Sequence, residues 1–195
     1  MRPTRKRRHA KPAAAPARSP LPGDLEVAAE TARMIRVDQA GEFGAIRIYE
    51  GQLAVLGNTP SREIVEEMAA NEAEHLAVFN EMMVERGVRP TVLTPVWRAA
   101  GFLLGAGSAL MSERHAMLCT VAVEAEIDRH YQRQADRLGA DEAALKETIL
   151  AFRDDEVRHR ETALEHEAEQ ALGARPLEGA IRAGARLAIW LSERI

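Results

Sequence analysis

The sequence predicts an all-α protein, a ferritin-like four-helix bundle made of two helical hairpins joined by a crossover. The 195 residues are 46% hydrophobic but only 4% aromatic. Ala, Leu, Glu and Arg dominate, and these residues lose little side-chain freedom in a helix. Gly and Pro divide the chain into four long helical stretches, and no run of alternating β-branched residues predicts a strand.

The ends of the predicted helices follow from their start and stop signals. Within the first pair, helices are predicted over residues 25–56 and 60–86, and within the second pair over 112–138 and 141–172. Tight turns with Gly join the helices of each pair. The longer stretch 87–112 separates the pairs and is the predicted crossover, which an up-down-up-down bundle lacks.

Two further segments are unusually apolar. Residues 91–111 contain one charge, Arg98, but Pro and Gly interrupt the segment, so it is marginal as a membrane-spanning helix. Residues 177–195 resemble an amphipathic helix that could lie in a membrane interface. We therefore expect an apolar connecting helix and an amphipathic C-terminal helix. Packing against the bundle or a second subunit is the alternative to membrane contact for both, and together they favour an apolar partner.

The charge distribution separates a basic tail from an acidic remainder. Residues 1–23 hold seven Lys or Arg and no acid, whereas the rest holds 19 basic and 30 acidic residues. We predict a disordered tail over 1–23 and one domain over 24–195. The tail could be a membrane- or nucleic-acid-touching arm, a mitochondrial transit peptide, or simply solvated. Its prolines and low Ser content favour the solvated tail, and we expect no nucleic-acid partner.

Two pairs of metal-binding residue types share one spacing. Glu72 precedes His75 by three residues, and Glu156 precedes His159 by three. Residues i and i+3 lie on the same face of a helix, so a carboxylate and an imidazole can converge on one ion. A single pair of this kind is weak evidence in a glutamate-rich chain, because a solvated helix face has the same spacing.

Two further glutamates make these pairs parts of one pattern. Glu42 lies in the first predicted helix and Glu124 in the third, and they are 82 residues apart. The two Glu-x-x-His pairs are 84 residues apart. The near-constant offset indicates an internal duplication related by a pseudo-twofold axis, which matches the ligand pattern of di-iron ferritin-like proteins. The predicted metal ligands are Glu42, Glu72, His75, Glu124, Glu156 and His159.

The predicted site has a consistent chemistry. Four carboxylates balance the charge of two divalent ions, which makes it feasible to bury them. Oxygen and nitrogen donors suit iron or manganese, and the single cysteine, Cys119, argues against a thiolate site. Gly41 and Gly44 flank Glu42 inside a helix, where each costs about 1 kcal/mol relative to Ala. Close approach of a helix or a substrate to Glu42 would explain that cost.

Residues around the ligands are candidates for orienting them. A ligating histidine usually donates its other ring N–H to a carboxylate or a carbonyl. Asp155 could orient His75, Asn71 could do the same for His159, and Asp38 is a third candidate. A surface or capping role remains open for each of the three.

His130 and Tyr131 follow Glu124 by six and seven residues. His130 could face the site, and Tyr131 could relay a proton or an electron. A boundary histidine and a half-buried tyrosine are the alternative. The remaining histidines lack ligand spacing and receive no role: His9, His115 and His166.

Several further motifs are distinctive. They are RVDQAGEFGA at 36–45, the Glu72/His75 pair, RPTVL at 89–93, GFLLGAG at 101–107, CTVAVE at 119–124, FRDDEVRH at 152–159 and LSERI at 191–195. Together these motifs resemble the demethoxyubiquinone hydroxylases. The resemblance covers about residues 30–195 and leaves out the basic tail.

This resemblance implies a 3-demethoxyubiquinol 3-hydroxylase, a di-iron monooxygenase of ubiquinone biosynthesis. It implies two iron ions per chain on the six ligands already selected, with Glu124 or Glu72 among the bridging carboxylates. O₂ would be the co-substrate and NADH the ultimate electron source. The resemblance also links His130 and Tyr131 to electron transfer.

The same resemblance implies partners and a location. The substrate would be a polyprenyl quinol, so we expect peripheral membrane contact. A homo-oligomer and other proteins of ubiquinone biosynthesis are further expected partners. The Ala- and Arg-rich composition favours the cytoplasmic face of a bacterial cell membrane, and the mitochondrial inner membrane is the alternative.

Two other functions remain open from the sequence. A ferritin-like iron-oxidising or iron-storage protein would share the six ligands, but it would have no use for the apolar segments. A metal-free helical interaction module would carry its glutamates as surface charge.

Overall fold

Six α-helices make up the bundle in the computed structural model, which describes residues 27–195. Between these residues the chain forms no strand, and the predicted all-α class is confirmed. The predicted tail and the residues at 24–26 lie outside the described part. The helices are α1 (Val27–Leu56), α2 (Pro60–Glu85), α3 (Thr94–Met111), α4 (Glu113–Arg137), α5 (Ala143–Glu165) and α6 (Ala174–Ser192), and short 3₁₀ turns lie at Ala140–Glu142 and Ala168–Gln170.

The helices pack as two hairpins with a connecting helix. α1 packs against α2, and α4 packs against α5. α3 carries the chain from one hairpin to the other, lying along α1 and then against α4, while α6 packs on α4. The predicted architecture of two hairpins and a crossover is thus present, and its more specific ferritin-like assignment stays a prediction.

Local signals place the first helix ends where the sequence predicts them. Gly57 has a φ of 58° and Gly87 a φ of 63°, a conformation that glycine adopts without a steric penalty. Pro60 then begins α2, where its missing N–H costs nothing. At the start of α4, the Ser112 hydroxyl accepts a hydrogen bond from the His115 N–H at 3.3 Å.

The predicted fourth helix, 141–172, is wrong at both ends. Asp141 lies in a 3₁₀ turn, so α5 begins two residues later, and α5 ends at Glu165. Glu167 then adopts a left-handed conformation with a φ of 61°, and the buried Ala168 turns the chain back towards α4. The residues at this reversal include no Gly or Pro. Tertiary packing imposes the reversal instead. Glycine signals therefore could not locate it.

Glycines allow α3 to lie directly on the backbone of α1. A Cβ atom on Gly105 would lie 1.9 Å from the Ile48 carbonyl oxygen, and one on Gly101 would lie 3.0 Å from the Gly44 oxygen. On the α1 side, a Cβ on Gly51 would lie 2.1 Å from the Phe102 oxygen. These glycines therefore set the distance between the two helices.

α3 and α6 expose apolar side chains and are joined to each other. Trp97 donates a hydrogen bond from its indole Nε1 to the Ser192 hydroxyl at 2.9 Å. Leu103 and Leu110 of α3 are exposed, as is Trp190 of α6. None of the helices between residues 27 and 195 combines the length and the apolar character needed to cross a membrane.

Candidate metal centre

Four helices bring the six predicted ligands into one buried cluster. α1 contributes Glu42, α4 contributes Glu124, and α2 and α5 each contribute one Glu-x-x-His pair. The i, i+3 spacing puts both members of a pair on the inward face of their helix. All six side chains are buried, and the four carboxylates are at most 1% exposed: Glu42, Glu72, His75, Glu124, Glu156 and His159.

The cluster divides into two groups that share two glutamates. Glu42 and His75 complete one group, and Glu124 and His159 complete the other, with Glu72 and Glu156 common to both. Within each group, the candidate ligand atoms lie within 4.8 Å of one another. The glutamates of the two Glu-x-x-His motifs are therefore placed to bridge two ions. Glu124, which the resemblance suggested as a bridge, belongs to one group only.

Buried polar atoms without a hydrogen-bond partner indicate whether metal ions fit this cluster. Burying a carboxylate or imidazole without a partner is costly, yet every one of the six side chains has such an atom. Four carboxylates in an apolar interior balance two divalent cations, and oxygen with imidazole nitrogen suits iron or manganese. The residues therefore fit two metal ions. The unpartnered atoms are Glu42 Oε2, both oxygens of Glu72 and of Glu156, Glu124 Oε2, His75 Nδ1 and His159 Nδ1.

The electrostatics of the cluster indicate a need for positive charge. Burial, together with the negative charge of Glu72, raises the pKa of Glu42 and of Glu156 well above the ordinary value. Burial also opposes ionisation of Glu72, but the imidazoles of His159 and His75, whose Nδ1 atoms lie 3.0 and 3.5 Å from its oxygens, outweigh it and lower the pKa of Glu72 to about 2. Without cations the cluster thus holds protons that metal ions would displace.

Outer contacts orient His75 as the sequence predicted. Its Nε2 lies 3.0 Å from Asp155 Oδ2, which leaves Nδ1 facing the carboxylates. Phe152 stacks on the imidazole with ring centroids 3.9 Å apart, and Phe79 meets Phe152 edge-on. Asn71, which the sequence suggested as the residue that orients His159, makes no hydrogen bond to it within residues 27–195.

Two tyrosines cross between the hairpins to the glutamates. The Tyr131 hydroxyl donates a hydrogen bond to Glu42 Oε1, and the Tyr49 hydroxyl donates one to Glu124 Oε1 at 2.6 Å. Sequence reasoning selected Tyr131 and missed Tyr49. The signal was available, because each tyrosine follows its own helix's glutamate by seven residues and the two are 82 residues apart.

The same 82-residue offset relates a second layer of polar contacts. Gln134 donates a hydrogen bond to Asp38 Oδ1 at 2.8 Å. Its counterpart Gln52 contacts Thr120, the counterpart of Asp38, at 3.5 Å. Each glutamine is ten residues after its glutamate. The predicted duplication therefore extends to the glutamines and their partners beyond the ligands.

His130 breaks this internal symmetry. It lies outside the carboxylate cluster, with its Nε2 3.2 Å from Asp38 Oδ1 and 2.8 Å from Gln134 Nε2. The equivalent position in the other half is Ile48. One half of the site thus carries a buried carboxylate–imidazole pair where the other carries a threonine and an isoleucine. Burial raises the pKa of Asp38, although the contacts with His130 oppose this.

Of the histidines without a predicted role, His115 and His166 have contacts elsewhere, and His9 lies outside the described residues. The His115 imidazole lies between the Ser112 hydroxyl and the Leu172 carbonyl oxygen. His166 Nδ1 lies 2.7 Å from the Thr162 carbonyl oxygen. The His115 contact joins the start of α4 to the segment before α6, and the His166 contact is made to the last turns of α5.

Comparison with known proteins assigns the chain to a family. The model of the family described as ubiquinone biosynthesis protein COQ7 matches residues 29–192, which include all six candidate ligands. The chain belongs to the COQ7 family.

Named relatives of this family are similar over most of the chain. A 3-demethoxyubiquinol 3-hydroxylase of Rhodospirillum rubrum is 53% identical over 176 residues, covering 90% of this chain and 83% of the relative. A mitochondrial NADPH-dependent 3-demethoxyubiquinone 3-hydroxylase of Homo sapiens is 48% identical, covering 84% and 77%. The mitochondrial 5-demethoxyubiquinone hydroxylase of Saccharomyces cerevisiae is 40% identical with the same coverage. The predicted family is confirmed.

Proposed function

We propose that this chain is a 3-demethoxyubiquinol 3-hydroxylase, a di-iron monooxygenase acting in ubiquinone biosynthesis. The observation that carries the proposal is the buried cluster of four glutamates and two histidines. Each of these side chains has a potential metal-ligand atom without a hydrogen-bond partner. Membership in the COQ7 family and the hydroxylase names of the relatives support the reaction and the substrate.

The six side chains would hold two iron ions. Glu72 and Glu156 would bridge the ions, and Glu42 with His75 would complete one coordination sphere. Glu124 and His159 would complete the other. When bound, iron supplies the activation of O₂ for insertion of one oxygen atom into the quinol ring. The chain itself fixes the ligands and neutralises the charge of the ions.

The surroundings of the cluster would control water and protons. The aromatic rings of Phe79 and Phe152 pack beside His75 and keep that side apolar. The Tyr131 hydroxyl holds a proton at Glu42 Oε1, close to the pair formed by His130 and Asp38. Hydroxylation with reduction of the second oxygen atom to water consumes protons, and this half of the site is equipped to hold them.

The ring of the substrate would approach beside Glu42. Nothing lies within 4 Å of a Cβ atom placed on Gly41 or on Gly44, the two glycines that flank this ligand. α3 does approach the backbone oxygen of Gly44, but this approach does not require a glycine there, because a Cβ atom at position 44 would meet no neighbour. Space for the substrate is the explanation that we propose.

A nicotinamide nucleotide would supply the electrons. The resemblance implied NADH, whereas the names of several relatives specify NADPH. The chain carries no Gly-x-Gly-x-x-Gly after a strand, so a dinucleotide would not bind in a Rossmann-type site. Which nucleotide serves this chain stays a prediction.

The exposed apolar surface of α3 and α6 would contact the membrane that holds the polyprenyl substrate. The exposed leucines of α3 and Trp190 of α6 make up this surface. The hydrogen bond between Trp97 and Ser192 joins the two helices. We place the chain peripherally on the cytoplasmic face of a bacterial membrane, with the mitochondrial inner membrane as the alternative. A homo-oligomer and contacts with other ubiquinone-biosynthesis proteins stay predictions.

Deletion of the gene and analysis of the extracted quinones test this function. We expect demethoxyubiquinone to accumulate and the intact gene to restore ubiquinone. A gene carrying Glu156→Ala should not restore it, whereas one carrying Glu161→Ala, an exposed position on α5, should. Normal ubiquinone in a deletion strain without a second hydroxylase would contradict the proposal. Iron oxidation without quinone hydroxylation by the purified protein would favour the iron-storage alternative.

A further inference from the structure

Two adjoining cavities outside the metal cluster lie along α6, and arginines line both. The larger has a volume of about 500 Å³ and lies between α4, α5 and α6. The smaller follows α6 itself and shares Arg175 and Arg182 with the larger one. We call this surface the arginine groove, defined by Arg129, Arg160, Arg175, Arg182 and Arg186.

The arginine groove has more positive charge than its acids balance. Glu126 is 1% exposed, and a single oxygen of it, Oε1, lies 2.8 Å from Arg182, 2.9 Å from Arg186 and 3.2 Å from Arg129. Glu126 and Glu178 together balance two of these three guanidinium groups. Asp128 pairs with Arg160, and Glu169 also lines the larger cavity. The five arginines of the groove therefore face four carboxylates. Guanidinium groups left with spare donors favour the binding of another anion.

Arg175 adds a charge that is free for a ligand. Its side chain is exposed and lines both cavities. Across the described stretch 27–195, no carboxylate lies within ion-pair distance of it. Several arginines around one concave surface provide the forked donors that phosphate oxygens accept.

The arginine groove continues into exposed apolar side chains on the same helix. Arg182, Arg186 and Trp190 are spaced i, i+4 and i+8, which places them along one side of α6. Trp190 is 51% exposed, and the neighbouring Leu187 is 56% exposed. An indole ring beside cationic residues is typical of a helix lying at a membrane interface, where the ring sits at headgroup depth.

We propose that the arginine groove binds the phosphates of anionic phospholipid headgroups while Trp190 and Leu187 enter the membrane interface. The proposal rests on the proposed function, because that function brings the chain to a membrane. It goes further by naming the lipid class and the residues that select it. Apolar contact alone would not distinguish anionic from zwitterionic lipids, whereas the arginine groove would.

Vesicle sedimentation with the metal-loaded full chain tests this proposal. Binding is measured to vesicles of phosphatidylcholine alone and to vesicles that also contain phosphatidylglycerol. In the double variant Arg175→Gln/Arg186→Gln, Glu126 keeps two arginine partners, so the fold should persist. Each arginine near an anionic surface contributes about 1 kcal/mol, so we expect about a tenfold to thirtyfold loss of affinity for the anionic vesicles. Binding to phosphatidylcholine should stay unchanged.

A matched double variant separates local recognition from net charge. Arg62→Gln/Arg114→Gln also removes two arginines, one half-buried and one exposed, each ion-paired outside the arginine groove, and should keep the preference for anionic vesicles. An equal loss in both double variants would overturn the proposal. So would a retained preference in Arg175→Gln/Arg186→Gln.

A soluble phosphate ligand is the competing occupant. Saturable NADPH binding by the unmodified chain that disappears in Arg175→Gln/Arg186→Gln would overturn the lipid assignment in favour of a nucleotide. Hydroxylation of a detergent-dispersed quinol by the unmodified chain requires no bilayer. That assay therefore tests the proposed function separately from the lipid proposal.

Discussion

Tyr49 of α1 donates a 2.6 Å hydrogen bond to Glu124 of α4, and Tyr131 of α4 donates in return to Glu42 of α1. Each tyrosine thus reaches across the bundle to the glutamate of the other hairpin. The bonded oxygen of each carboxylate faces the tyrosine, and the second oxygen remains for a metal ion. These two reciprocal hydrogen bonds fix the positions of the two halves of the site relative to each other.

Loss of the Tyr49 hydroxyl should weaken metal binding in the Glu124 half. Residues that orient metal ligands typically affect affinity by about 10- to 100-fold when they are removed. For Tyr49→Phe we expect a decrease of about tenfold in the affinity of one of two metal ions, measured by competition with a chelator. The other ion should bind as in the unmodified chain.

Tyr131→Phe provides the matched comparison in the other half. It should weaken the ion held by Glu42 and, because Tyr131 is next to His130, also slow hydroxylation. Two ions bound with unchanged affinity in Tyr49→Phe would show that its hydrogen bond to Glu124 does not orient the ligand.

The shared glutamates should matter more than the unshared ones. Glu72 belongs to both ligand groups and Glu42 to one, so Glu72→Gln should leave well under one metal ion per chain, whereas Glu42→Gln should retain about one. Metal analysis of purified protein measures the difference. Glu74→Gln, an exposed position on the same helix, should retain two ions. Equal losses in Glu72→Gln and Glu42→Gln would contradict the bridging role.

Spacing predicted the ligand set because helical geometry converts sequence distance directly into position on a face. The i, i+3 pairs and the 82- and 84-residue offsets were sufficient to select all six residues that the fold brings together. The same offset would have found Tyr49, had it been applied to residues other than metal ligands. The residue Ile48, opposite His130, would then have revealed the asymmetry as well.

Other features depend on tertiary packing and carry no local signal. The end of α5 at Glu165 comes from the reversal at Glu167 and the burial of Ala168, and the sequence there is as helix-forming as the preceding turns. Similarly, the sharing of Glu126 by three arginines joins residues that are up to 60 positions apart. No periodicity within one helix predicts such a contact.

Asp38 should be required for hydroxylation but not for metal binding. It contacts His130 and Gln134 and does not belong to either ligand group. Asp38→Asn should therefore keep two ions and lower the turnover rate by about 100-fold, the lower range for loss of a proton-transferring group. The pH dependence of the turnover rate should also change, which a purely structural role would not produce.

Thr120→Val is the control on the opposite half, because Thr120 is the counterpart of Asp38 across the pseudo-twofold axis. Its weak 3.5 Å contact with Gln52 predicts less than about a threefold effect on turnover. Similar losses in Asp38→Asn and Thr120→Val would refute a special role for the polar half.

The close contact of α3 with α1 should make Gly105 intolerant of a side chain. An added Cβ would lie 1.9 Å from the Ile48 carbonyl oxygen, so Gly105→Ala forces the helices apart and should destabilise the fold by about 1–3 kcal/mol. Gly107 lies in the same helix with nothing within 4 Å, and Gly107→Ala should stabilise it by up to about 1 kcal/mol. Thermal unfolding measures both. A Gly105→Ala protein as stable as Gly107→Ala would contradict this packing.

The metal-free chain should lose stability as the pH rises. Burial raises the pKa of Glu42 and Glu156, and the surrounding carboxylates raise the pKa of His75 despite its burial. Each group then binds its proton more tightly in the folded state. Its contribution to stability is complete below the unfolded-state pKa and declines as the pH rises towards the folded-state pKa.

Melting temperatures of metal-free and metal-loaded protein between about pH 5.5 and pH 8 measure this linkage. Each extra proton held by the folded state changes the free energy of unfolding by about 1.4 kcal/mol per pH unit, so the metal-free melting temperature should fall across the range. The metal-loaded protein should change less, because cations replace those protons. The contribution of Glu72 to stability has the opposite pH dependence, because the pKa of Glu72 is lowered to about 2. That contribution is lost only in more acidic solution. A melting temperature of the metal-free chain that rises with pH would contradict the assigned charge balance.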